Sequence, residues 1–357
     1  MKLAFPGNID EFESAIEILL REANVGIRYR IINEIRNTFD VTEQLLLKRE
    51  LENSKKAKKI LSYLASYKEY HGATIYAAEN SINMLIDMGY SYGVGFNEFD
   101  KMLERMVQEL KAKKIDGNHV LRYLPHIVII PFLLRAGVRE SWMIEFVKDR
   151  IDVIYSFVKQ KNYDIYDDIR RYKAIPKNFW GRPIIRPELY EQGQIMLPLE
   201  YDIYGFASMY TELEKEYKRK IDEVIIYIMD RKFREIVDGY GVLSDRKNYW
   251  ALGWDPKPTD LEKEYCYNPL LLKMELISKF EVAIKSEWFL QALNKIEAYK
   301  GENGLYHYPK NYLTEKDSCW ILGNHMGVGE NRRNRNALVY EGIFRTLIIK
   351  NNLKKFL

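Results

Sequence analysis

The stretch Phe12-Glu-Ser-Ala15-Ile16-Glu-Ile-Leu19-Leu20-Arg-Glu-Ala23 runs directly into Asn24-Val-Gly-Ile27-Arg-Tyr-Arg-Ile31-Ile-Asn-Glu-Ile35, and these residues set the fold class. Phe12, Ala15, Ile16, Leu19, Leu20 and Ala23 recur at the i, i+3, i+4, i+7 spacing of one helix face. Asn24 is a side chain suited to cap a new helix, in which Ile27, Ile31 and Ile35 lie four apart on one stripe. Outward from this start the helical period continues. It predicts helices near 41–51, 54–67, 75–88, 97–113, 118–135, 140–160, 198–213, 218–237, 269–281, 285–299 and 337–350, bounded by Gly, Pro or Asn. No comparable series of alternating strands is seen, so the expected class is all-α.

Composition agrees with a packed protein. Of 357 residues, 47% are hydrophobic and 30% charged, which excludes disordered, collagen-like and disulfide-scaffold classes. Lys plus Arg exceeds Asp plus Glu by 55 − 51 = 4, which gives no electrostatic case for a nucleic-acid partner. Cys266 and Cys319 are too few for a disulfide framework and fit a reducing compartment. The first residues contain no secretory h-region. The longest apolar run, Ile127 to Leu134, carries Pro131 and falls far short of the roughly 20 residues a transmembrane helix needs. A cytoplasmic protein without a transmembrane segment is expected.

Three long links, 161–197, 238–268 and 300–335, are candidates for function, because structureless loops of that length are uncommon in compact domains. They share a phrase. Lys177-Asn-Phe-Trp180 recurs as Lys247-Asn-Tyr249-Trp250, and Lys310-Asn-Tyr312 begins it again, at spacings of 70 and 63 residues. Gly241 and Gly304 each lie six residues before the lysine. Trp250-Ala-Leu-Gly and Trp320-Ile-Leu-Gly follow it, and Tyr163-Asp-Ile-Tyr is echoed by Tyr201-Asp-Ile-Tyr. Such a period holds two helices and a loop, so the unit reads as a helical hairpin whose apolar side is buried by its neighbours. Equivalent loops in a stack of hairpins emerge on one face.

The segment Asn24-Val-Gly-Ile-Arg-Tyr-Arg resembles the NPxVRYR helix start of bacterial proteins with prenyltransferase and squalene-cyclase-type repeats. Residues 57–64, His71-Gly and 78–89 are similar to their repeat of helix, turn and helix, and Gly301-Glu-Asn-Gly-Leu-Tyr to their dGxw turn. The resemblance implies a helical segment over 1–50 followed by an α/α toroid over 51–357, of the terpenoid-cyclase type. It further implies a central aromatic cavity for an isoprenoid or other apolar-chain substrate. The family's motifs are incomplete: Asp164-Ile-Tyr-Asp167-Asp168 has the wrong spacing for D-x-D-D, and Asp167-Asp168-Ile-Arg-Arg lacks the last carboxylate of D-D-x-x-D. Asp317-Ser-Cys319 matches the D-x-C with which protein prenyltransferases hold zinc.

The site candidates follow from residue type. Asp317, Cys319 and His325, with His307 in reserve, offer zinc a hard and soft ligand set; alternatively Cys319 packs beside Trp320 and Asp317 caps a turn. Arg332 and Arg333, before the last helix, could grip a phosphate or carboxylate, or pair with Glu330 and Glu341. Trp180, Lys247, Tyr249, Trp250, Trp254, Tyr312 and Trp320 would line a ligand-binding mouth, or wedge between hairpins. Asp167, Asp168 and Asp202 are the catalytic carboxylates, or helix caps. The partner expected is a small molecule, lipid or glycan. A non-catalytic toroid binding a glycan or peptide, or a carbohydrate-active (α/α) barrel, is the alternative.

Overall fold

The computed structural model describes residues 9–36, 40–72, 74–115, 120–172, 177, 182–191, 193–236, 239–244, 248–302, 304–313 and 336–356. Among the described residues the chain is mostly helical, with four short strands, and it gathers into two compact units. The first comprises Met1–Val107, Arg135–Val138 and Thr259–Leu357, and the second Gln108–Leu134 and Arg139–Pro258. The expected boundary at residue 50 falls inside the first unit.

In the first unit, α1 (Ile9–Glu22) buries the stripe of Phe12, Ala15, Ile16 and Leu19 that its sequence spacing marks. Asn24 then caps α2 (Val25–Arg30), its Oδ1 accepting from the Ile27 amide at 3.2 Å. The chain does not stop there: Ile31–Arg36 continues as a π-helical turn. Such turns are rare, and they often occur at functional sites. Helices α3 (Val41–Glu52) and α4 (Lys55–Ala65) start at the side-chain caps Asp40 and Ser54. Next come α5 (Ala78–Asp87) and α6 (Asn97–Ala112), the latter belonging to the second unit from Gln108 on.

The carboxy-terminal part of this unit supplies α12 (Leu270–Ile277), α13 (Glu281–Ile284), α14 (Glu287–Glu297) and α15 (Ala337–Lys354). Helix α15 packs on α1, α12 and the π turn, and buries Ile343, Phe344, Leu347 and Ile348 against the α1 stripe. It is buried nearly all round and yet carries Glu341, Arg345 and Lys350 in its core-facing length. Charges are seldom buried unless paired, so such residues point to a polar network inside the unit.

The second unit holds α7 (Val120–Arg135, whose last residue belongs to the first unit), α8 (Ser141–Val158), α9 (Glu200–Met209), α10 (Lys215–Met229) and the short α11 (Arg231–Arg234). Two antiparallel ribbons accompany them. Strand β1 (Tyr166–Asp167) pairs with β2 (Ile184–Ile185), and β3 (Tyr240–Ser244) pairs with β4 (Asn248–Gly253), with Val242 opposite Trp250. The second ribbon lies in the link 238–268, where the sequence predicts no strand. Gly241 explains its close fit: a Cβ there would lie 2.2 Å from the Pro183 carbonyl oxygen and 2.6 Å from the Tyr249 ring.

Candidate functional site

The sequence candidates divide by location. Trp180, Lys247, Asp317, Cys319, Trp320, His325, Arg332 and Arg333 lie outside the described residues. Among the described residues no group of three or more His, Cys, Asp or Glu side chains could hold a metal ion, and His307 is exposed. No helix among them is long and apolar enough to cross a membrane.

In the second unit, Asp167 and Tyr249 are brought into one patch. Asp167 accepts from the Tyr172 hydroxyl at 2.6 Å and from Arg171 at 3.0 Å. The rings of Tyr172 and Tyr249 pack against Ile184 and Leu243, and the Tyr249 hydroxyl donates to the Pro183 carbonyl at 3.1 Å. Asp168 is held down to about 2 by hydrogen bonds from the Arg170 guanidinium and amide, so it remains an anion paired to its neighbour. Trp250 is 50% exposed on β4, whereas Trp254 is buried against the edge of Tyr201 at 5.1 Å. The Trp254 carbonyl accepts from the Glu200 amide at 2.7 Å, at the start of α9.

Asp202 sits in that first turn, where it accepts from the Leu199 amide at 2.9 Å. Both of its oxygens also take bonds from Arg150, at 3.0 and 2.7 Å, and Arg150 further donates to the Ile195 carbonyl at 2.5 Å. Asp202 is thus a cap and an ion-pair partner at once. Tyr312 lies in the first unit, in a 3-10 turn, stacked on Tyr308 at 5.7 Å. The shared phrase is therefore strand at Asn248–Trp250 and a 3-10 turn at Lys310–Tyr312.

An open cavity lies in the first unit, at residues the sequence does not single out. It is a cavity of about 520 Å³ between α2 with its π turn, the end of α5, the start of α12's following turn and the last turns of α15. Its apolar wall is made by Tyr29, Ile86, Tyr90, Val94 and Ile348. Its charged wall holds Arg30, Arg135, Lys279 and Lys355 against Glu34 and Glu275.

The charges form a linked network. Arg30 binds Glu34 through Nε at 2.6 Å and Nη2 at 2.9 Å, donates to the Asp87 carbonyl at 3.2 Å, and approaches Glu275 at 3.5 Å. Arg135 binds the Asp87 carboxylate at 2.6 Å and also Asn83. Behind this layer Arg345 donates to Glu275 at 2.5 Å and lies 3.6 Å from Asp87, while its Nε and Nη2 lack a hydrogen-bond partner among the described residues. Burial pushes the Glu275 carboxyl up, but the guanidiniums of Arg345 and Arg30 outweigh it and hold the group at about 2. Glu275 therefore remains ionised between the two guanidiniums.

Lys279 is the odd member. Among the described residues it makes no hydrogen bond and no ion pair, although it lines the cavity. Burial, with the positive charge of Arg135 beside it, pushes its amine down to about 8 against the opposing pull of Glu275 and Glu34.

Backbone geometry positions this wall. Gly89 ends α5 with φ +105°, and a Cβ there would lie 2.8 Å from the Tyr29 ring and 3.2 Å from Arg30 Cγ. Only glycine allows the chain to turn there without moving both side chains. The π turn places Asn33 and Glu34 on the same wall. The chain matches no protein-family model, no curated protein and no solved structure.

Proposed function

We propose that the protein binds a small anion with an apolar body in the cavity of its first unit. The observation that carries this reading is Lys279, unpaired among the described residues, on a wall where basic side chains exceed carboxylates, with Tyr29, Ile86 and Ile348 lining the same cavity. A ligand carboxylate or phosphate supplies the missing acceptor, and the aromatic and aliphatic wall takes its body. This agrees with an isoprenoid or other apolar-chain substrate, and the ring of helical hairpins expected from the repeated phrases belongs to the same proposal.

Melting of the purified protein with an isoprenoid diphosphate, a branched short-chain carboxylate and the matching alcohols tests it. The anions should raise the melting temperature and the alcohols should not. Equal shifts from alcohol and anion, or none from any of them, would overturn the reading.

A second reading has one observation in its favour. Trp250 is half exposed on β4, in the same unit as Asp167, and an exposed tryptophan ring is suited to stacking on a sugar ring. Quenching of tryptophan fluorescence by oligosaccharides, absent in Trp250→Ala, is its signature.

A further inference from the structure

We propose that the Lys279 Nζ is a nucleophile that condenses with the carbonyl carbon of a 2-oxo acid held in the first-unit cavity, forming an imine. The proposal deepens the anion-binding reading above and rests on it. It begins from what the amine lacks: Arg30 and Arg135 already engage Glu34 and Asp87, whereas Lys279, on the same wall, enters no hydrogen bond or ion pair among the described residues. A lysine used for structure in a buried setting is ordinarily tied to a carboxylate. An untied amine beside an open cavity and two guanidiniums is the arrangement that activates amine nucleophiles.

The groups facing this amine are Arg135 and Arg30, which disfavour its protonated form, and Glu275 and Glu34, which favour it. Burial and Arg135 prevail, so more of the free amine exists near neutral pH than an exposed lysine has. Nearby guanidiniums cannot act as competing nucleophiles because they stay protonated.

The ligand class follows from the geometry of the wall. A carboxylate next to the carbonyl meets the positive field of Arg30 and Arg135, which places the adjacent carbonyl carbon near Lys279. An aliphatic tail then faces Ile86, Val94 and Ile348. In the reaction the nitrogen lone pair attacks the carbonyl carbon to give a carbinolamine. Both amine hydrogens then leave with the former carbonyl oxygen as water, and a C=N bond replaces C=O. No oxidant or reductant is needed.

The test uses the full chain with 2-oxo-4-methylpentanoate and sodium cyanoborohydride, which reduces an imine to a stable secondary amine. Intact-mass analysis should show one adduct per chain, equal to the ligand mass less one oxygen atom, and peptide mapping should place it on Lys279. Trapping should be half-maximal near pH 8, where the amine loses its proton. Excess 4-methylpentanoate, which has the carboxylate and tail but no ketone, should suppress it. Lys279→Arg should lose the adduct while 4-methylpentanoate still raises its melting temperature.

A thermal shift with both acids but no adduct on wild-type protein would overturn the imine and leave anion binding standing. Absence of both shift and adduct would overturn the two together. Adducts spread over surface lysines, rising only near pH 10 and insensitive to 4-methylpentanoate, would also overturn the proposal.

Discussion

Each unit buries arginine, and the two do so in opposite ways. In the second unit Arg150 is closed off: two oxygens of Asp202 and the carbonyl of Ile195 take its donors, and Asp202 completes its own valence by capping α9. In the first unit Arg30, Arg135 and Arg345 share Glu34, Asp87 and Glu275, and among the described residues Arg345 keeps donors unmet and Lys279 stands unpaired beside an open cavity. The first arrangement is a staple and the second a receptor. A buried charge pair adds little to stability over well-packed apolar side chains, so its location in the chain says less than whether its hydrogen-bonding capacity is filled.

The largest expected effect tests the staple. Asp202→Ala removes both the partner of a fully buried guanidinium and a helix cap, and should cost about 4 kcal/mol in urea unfolding. A loss below about 1 kcal/mol would mean that Arg150 finds solvent, and the contrast between the units would fall.

Glu275→Gln makes the matching cut in the first unit. It leaves Arg345 and Arg30 without their shared anion and should cost about 3 kcal/mol. The folded carboxyl sits near 2 against 4.5 ordinarily, so its contribution is present above 4.5 and is lost as pH falls toward 2. Wild-type stability should therefore decline through that window more steeply than that of the variant, by unfolding measured at successive pH values.

The helices of both units were largely legible. Apolar stripes and the cap Asn24 are local signals, and the structure places helices at Lys55–Ala65, Asn97–Ala112 and Glu287–Glu297, where the helical period predicts them. The ribbon of Tyr240–Gly253 was not, because its buried residues Val242 and Leu243 are adjacent rather than alternating, and its glycines read as loop. The cavity was illegible for another reason: Arg30, Asp87, Arg135, Glu275 and Arg345 come from five separated stretches, and only packing joins them. A signal was nevertheless present. Arg135 follows Ile127 to Leu134, Glu275 interrupts an aliphatic helix, and Arg345 sits in Gly-Ile-Phe-Arg-Thr-Leu-Ile. Lone charges in apolar runs must be paired when the run is buried, and together they outline the site.

Gly89→Ala probes how closely that wall is fitted. The position needs a positive φ, and the added methyl would press on Tyr29 and Arg30, so a loss of about 2 kcal/mol is expected. Because the same side chains line the cavity, the thermal shift produced by an anionic ligand should shrink in parallel. A stable variant with undiminished ligand response would separate the wall from the site.

The smallest effect has the opposite sign. Lys279 has a folded value near 8 against 10.5 ordinarily, which is the reverse of a lysine that gains a partner. Between those values the unfolded chain holds a proton that the folded chain has released, so stability rises with pH across that window. Below pH 8 the folded protein carries the full cost of a poorly solvated, unpaired cation, and above 10.5 it carries none. Lys279→Met keeps the side-chain length and removes the charge. It should be more stable than wild type at pH 7 by about 1 kcal/mol, a figure held low because the side chain is only half-buried. That gain should vanish by pH 10.5, and the difference between the two proteins cancels the tyrosines that titrate in the same range. A methionine variant that is less stable at pH 7 would show that Lys279 is paired after all, and the surplus cation that separates the open network from the closed pair would not exist.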